Sequence, residues 1–234
     1  MVPRGMLPAA QPPEPGPARR PVELWQWRIG LGLGLACVVL LTKLVIGALG
    51  AAGGGSYEFM AMQGNQPVTW NHCQAIRYQV NPKGAPDDWE EIVHDAVDDV
   101  EEASGFVFAD RGTTVKSQLI GRRYQGNEWE PVLILWSDRY QDGSLAGGVI
   151  GRGGPAAIEV NGRERYVVGK VSLDSNVKDP LATRMVLEHE LGHVLGLDHS
   201  SSPRELMYAS YHGQDGFGDG DRSGFKRLHD VPCG

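Results

Sequence analysis

Residues 189–199 read His189-Glu190-Leu191-Gly192-His193-Val194-Leu195-Gly196-Leu197-Asp198-His199, and no other stretch restricts the fold as tightly. Positions four apart share one face of a helix, so His189 and His193 can aim their imidazoles at one point if this segment is helical. Glu190, one residue along, overhangs that point from the side. Gly196 lets the helix stop in a left-handed conformation, and the turned chain can then bring His199 to the same point. Three neutral imidazoles leave the fourth position of a tetrahedral zinc ion open for water, the layout of a catalytic rather than a structural centre. A lone histidine on an apolar helix is ordinarily a core residue. The third histidine at this spacing, with glycine between, is what makes the pattern a ligand set. The candidates are therefore His189, His193 and His199 as ligands of one Zn2+, with Glu190 as the catalytic carboxylate. A metal-binding domain that had lost catalysis would keep the histidines, but it would most readily have lost Glu190, which is present.

From His199 the chain continues Ser200-Ser201-Ser202-Pro203-Arg204-Glu205-Leu206-Met207-Tyr208. The stretch from His189 to Ser200, followed by Leu206-Met207-Tyr208, resembles the matrixin branch of the metzincin metalloproteases. In that family a methionine in a tight turn underlies the zinc ligands, and Met207 matches it. More loosely, Trp70, Cys73, Ile76, Tyr78, Val80 and Asn81 are similar to the first strand of short bacterial matrixin-like domains. Asp221, Gly224 and Leu228 resemble the start of the family's C-terminal helix. The resemblance implies an α/β (α+β) fold: a twisted, mainly parallel five-stranded sheet with an active-site helix, a Met-turn and a C-terminal helix. It further implies an extended peptide laid along an edge strand, with Tyr208–Gly213 shaping the pocket and Tyr208 and Tyr211 as its candidate residues. Departures are visible as well. Ala209 stands where matrixins often carry proline. Residues 140–175 contain no histidine for the family's second, structural zinc, so one zinc is expected. Asp142 and Asp174 are the candidates for a Ca2+ site. No cysteine lies between the apolar N-terminal segment and Trp70 to act as a latency switch.

Residues 1–28 are rich in proline and read as a disordered cytoplasmic tail. Residues 29–52 are apolar apart from Lys43, and Arg19, Arg20 and Arg28 precede them, which keeps the N-terminus cytoplasmic. Two readings compete. As a signal-anchor the segment is long enough to span a bilayer, with Trp25 and Trp27 at its interface and Lys43 costing about 2.5–3.5 kcal/mol at mid-helix. As a signal peptide, Ile29–Thr42 forms the apolar core and Ala48-Leu49-Gly50 the cleavage site. The anchor is favoured, and either way the remainder lies outside the cytoplasm, membrane-anchored or secreted. Cys37, inside the apolar segment, reads as an inert small hydrophobe rather than a lipidation site. In an oxidising compartment Cys73 and Cys233 would pair and tie the C-terminus to the first strand.

Of 22 Lys+Arg and 29 Asp+Glu, 17 and 27 lie beyond residue 55, a net charge of −10 for the exported part. That balance argues against nucleic acid or an anionic membrane surface as a partner. Much of it sits between Asp87 and Glu102, interleaved with Trp89, Ile92, Val93, Ala96, Val97 and Val100 at the spacing of an amphipathic helix with a solvated acidic side. Residues 53–69 read as a flexible linker and 70–234 as the catalytic domain, acting as a monomer. Strands are expected at Gln74–Val80, Phe106–Ala109, Pro131–Ser137, Ala156–Asn161 and Arg165–Leu173. Helices are expected from Pro86 to Gly105, from Asp179-Pro180 through the histidines, and at Asp219–Leu228. The glycine-rich run Gly143–Gly154 carries no phosphate-loop signature and reads as bounding the cleft or an edge strand. The expected activity is zinc-dependent hydrolysis of peptide bonds in protein or peptide substrates. The alternatives are a catalytically inactive zinc-binding surface module and a zinc amidase acting on cell-wall peptides.

Overall fold

The structure, a computed structural model, describes residues 56–119, 124–125 and 128–233. The tail at 1–28, the apolar segment at 29–52 with Cys37, and residues 53–55 lie outside the described residues. Among the described residues no helix is long and apolar enough to cross a membrane.

In chain order the elements are β1 (Glu58–Phe59), β2 (Met62–Gln63), β3 (Gln66–Pro67), β4 (Ile76–Asn81), α1 (Trp89–Ser104), β5 (Phe108–Thr113), β6 (Tyr124–Gln125), β7 (Glu128–Trp129), β8 (Val132–Ser137), β9 (Gly151–Val160), β10 (Arg163–Asp174), α2 (Pro180–Leu195), β11 (Leu197–Asp198) and α3 (Asp219–His229). The main sheet has five strands in the order β5-β4-β8-β10-β9. Neighbours run parallel from β5 to β10, and β9 closes the edge antiparallel to β10. This is the mixed, mostly parallel α/β arrangement that the family resemblance implied.

Burial explains the order. All six residues of β8 are buried, as expected of a central parallel strand covered on both faces. Against this sheet α1 buries Ile92, Val93, Ala96, Val97 and Val100, and its acidic residues sit on the other face. Gly105, at φ +76°, ends α1 with its N–H bonded to the Glu101 carbonyl. The first helical residue is Trp89 rather than Pro86, because Pro86–Asp88 form the turn that precedes it. Strand β9 starts at Gly151, five residues earlier than its composition suggests. Glycine is a poor strand former, but here it faces α2, where a side chain would not fit.

Residues 58–69 are paired backbone rather than linker. β1 pairs antiparallel with β11, Glu58 opposite Asp198 and Phe59 opposite Leu197. Met60 N–H bonds the Gly196 carbonyl, and Val68 and Thr69 are buried. The chain leaving α2 exposes backbone polar groups that need partners, and this segment supplies them.

Candidate active site

Asp179 caps α2: its carboxylate accepts from the Ala182 N–H at 2.8 Å, and Pro180 takes the first helical position, where no N–H is needed. Leu187, Leu191, Val194 and Leu195 are fully buried and anchor the helix in the core. Gly196, at φ +120°, ends it, with its N–H on the Gly192 and His193 carbonyls. The Trp70 indole N–H donates to the Val194 carbonyl at 2.7 Å, giving one of the last orphan acceptors of the helix a partner.

The three histidines of the motif converge. One ring nitrogen from each of His189, His193 and His199 lies within 4.8 Å of the other two. His189 Nδ1–H donates to the Leu206 carbonyl at 2.7 Å, and His193 Nδ1–H donates to the Leu197 carbonyl at 2.8 Å. A carbonyl can only accept, so both rings carry their proton on Nδ1 and turn a lone pair on Nε2 inward. Burial above all lowers the His193 pKa to about 4, and burial likewise lowers that of His189. Both are therefore neutral near pH 7. His193 Nε2 and His199 Nε2 are 3.3 Å apart. Two nitrogens each about 2.05 Å from a tetrahedral zinc ion would be about 3.3 Å apart, so the donor set fits that ion.

Glu190 is 6 % exposed, and burial pushes its carboxyl pKa up to about 7, opposed by the Gly153 N–H and the Arg152 charge. Strand β9 presses against it. A Cβ at Gly151 would come within 2.7 Å of Glu190 Oε1, and one at Gly153 within 2.4 Å of the Glu190 carbonyl oxygen. These two glycines let the edge strand and the helix approach closely enough for Gly153 to bond the carboxylate. The sequence placed the run Gly143–Gly154 at the cleft or an edge strand, but gave no signal that Gly151 and Gly153 in particular press against Glu190.

Met207 is 1 % exposed, its sulfur against Gly192 between His189 and His193 on α2, where a Cβ would be 2.4 Å away. The turn is held from below. Asp221, fully buried on α3, accepts from the Leu206 N–H at 2.7 Å and from the Gly218 N–H at 3.1 Å. Glu205, 2 % exposed, accepts from the N–H groups of Gly220 and Asp221. Two carboxylates therefore lock the Met-turn to α3, and through the Leu206 carbonyl they orient His189. Asp221 was singled out by its position in the sequence; Glu205, two residues before Met207, was not.

The remaining candidates are more dispersed. Tyr208 is half-buried with its ring 5.3 Å from His212, whereas Tyr211 is 65 % exposed. Asp142 accepts from Ser144, Lys170 and Ser172, and Asp174 accepts from Asn176, so protein donors engage both. Neither belongs to a cluster of three ligating groups among the described residues. Cys73 and Cys233 form a disulfide with their Cα atoms 6.1 Å apart. The family model described as matrixin matches residues 69–230 of the chain. No curated protein matches it.

Proposed function

The chain belongs to the matrixin family of zinc-dependent metalloendopeptidases, and from that premise we propose that residues 70–234 hydrolyse internal peptide bonds of protein or peptide substrates outside the cytoplasm. In this reading His189, His193 and His199 hold one zinc ion and Glu190 carries the proton. A bound zinc would supply Lewis-acid polarisation of the scissile carbonyl and a lowered pKa for the attacking water. Glu190 takes the proton of that water on a carboxylate oxygen and later delivers it to the leaving amine. The Gly153 N–H keeps the carboxylate aimed while it changes charge. His189 and His193 keep their lone pairs inward because the Leu206 and Leu197 carbonyls fix their tautomers. Met207 supports the ligands from beneath, and Tyr208 and Tyr211 border the substrate pocket, Tyr211 offering an exposed ring. Residues 29–52 anchor the domain to the membrane or direct its export, and Asp142 and Asp174 remain the candidates for a Ca2+ site.

The observation that carries the reading is the pair of inward Nε2 atoms 3.3 Å apart beside a buried carboxylate. The test is zinc content and casein cleavage of the protein and its Glu190→Gln variant. One zinc per chain in both, with chelator-sensitive cleavage in the parent alone, is the expected result. Equal cleavage by the variant would remove Glu190 from the mechanism. One zinc with cleavage by neither protein would favour the binding module, and turnover of cell-wall peptides but not casein would favour the amidase.

A further inference from the structure

A second group of metal-ligating side chains lies away from the three histidines. One ligating atom from each of His72, Cys73 and Cys233 falls within 4.8 Å of the other two. His72 Nε2 is 3.2 Å from Cys233 Sγ, so the imidazole points at the disulfide. A disulfide sulfur is a poor hydrogen-bond acceptor, and His72 Nδ1 is buried without a partner. The His72 ring also lies against His229, 4.3 Å between centroids. Cys73 is exposed, which opens the S–S bond to a soluble thiol.

We propose that Cys73 and Cys233, once reduced, form with His72 a second zinc site, exclusive of the disulfide and holding the same two chain segments together. A dithiol reductant is oxidised to its cyclic disulfide while the Cys73–Cys233 bond is reduced to two thiols. Metal binding then releases those two protons, and two thiolates and one imidazole nitrogen form bonds to the ion, leaving a fourth position for water. Two thiolates on a tetrahedral zinc lie about 3.8 Å apart, which side-chain rotation reaches from Cα atoms at the present separation. A histidine donor 3.2 Å from one of the sulfurs needs little movement. The C-terminal segment therefore keeps a covalent or coordinate tie to residues 72–73 in either redox state.

The test uses the full-length chain with Cys37→Ser, so that sulfur signals report this pair alone, and Co2+ as the probe. Thiolate-to-cobalt charge-transfer absorption arises from sulfur ligands and not from three imidazoles, so failure here and failure of the three-histidine reading are distinguishable. The oxidised protein is expected to show no such band; after reduction and removal of the dithiol, with the three-histidine site already filled with Zn2+, one equivalent of Co2+ produces it. Losing even a supporting partner of a ligand costs about 10–100-fold in metal affinity, so His72→Ala should weaken this binding by at least about 100-fold. In the reduced protein with His72 intact, Zn2+ should also protect Cys73 and Cys233 from alkylation. Absence of the band after reduction, unchanged alkylation with Zn2+, or a His72→Ala affinity within about twofold of the parent would each overturn the proposal.

Discussion

Replacing Gly153 by alanine tests whether the edge strand positions the catalytic carboxylate. The added Cβ would lie 2.4 Å from the Glu190 carbonyl oxygen, 2.9 Å from the Glu190 Cβ and 3.0 Å from its carbonyl carbon. Ordinary contact needs about 3.5 Å, so β9 and α2 must separate by roughly 1 Å. The obstacle is helix backbone, which cannot rotate away as a side-chain tip can. Overpacking of this kind costs about 1–3 kcal/mol, a fall in Tm of roughly 2–12 °C for a domain of this size. The same displacement lengthens the Gly153 N–H bond to Glu190, and a 1 Å misplacement of a catalytic group costs about 100-fold in rate. Zinc content should stay at the parent level, because the Leu206 and Leu197 carbonyls that orient His189 and His193 are not on β9. The assay is kcat/KM on a quenched peptide, with metal content and Tm measured on the same sample. Gly154→Ala is the control, since its nearest neighbour would be the flexible Met60 methyl at 3.7 Å. Parent-like turnover in Gly153→Ala, or an equal loss in Gly154→Ala, would refute the reasoning.

Glu188, fully buried, has its carboxyl pKa raised to about 8, by burial first and then by Asp99, against the lowering charge of Arg184. Its folded value lies above its unfolded value, so the folded state binds the extra proton and parent stability falls as pH rises between about 4.5 and 8. Glu188→Gln lacks this term and should gain on the parent by up to about 1.4 kcal/mol per pH unit in that window. Urea unfolding at pH 5 and pH 8 reads it, and a constant difference would exclude it. Asp221→Ala leaves the buried Leu206 N–H and the half-buried Gly218 N–H without their acceptor, the first costing about 1–3 kcal/mol and the second less. Because Leu206 orients His189, zinc affinity measured by competition should fall about 10–100-fold; an unchanged affinity would separate the Met-turn from the ligands. The double variant Cys73→Ser/Cys233→Ser should lose about 2–5 kcal/mol in chemical denaturation, since the bond closes a loop with a sequence separation of 160. No change in the midpoint would show that the C-terminus is held by packing alone.

The helical ligand spacing, the glycine that stops the helix, the buried run of β8 and the amphipathic face of α1 all follow from local periodicity, and each was legible in the sequence. So was Met207 as the candidate for the turn under the histidines, through its distance from His199. What that periodicity could not convey is which remote segments meet. Residues 58–69 have a linker's composition, yet β1 supplies the hydrogen-bond partner of β11. Glu205 reads as a surface acid until α3 brings its N-terminal N–H groups onto it. Gly151 and Gly153 argue against a strand locally, and β9 tolerates them because α2 passes too close there for any side chain. The sequence by itself determined the chemistry of the candidate ligand set, since residue type and spacing along the chain are local properties. The aim of Glu190, the tautomers of His189 and His193 and the seat of Met207 were decided only by tertiary structure, because each depends on backbone groups from a different element.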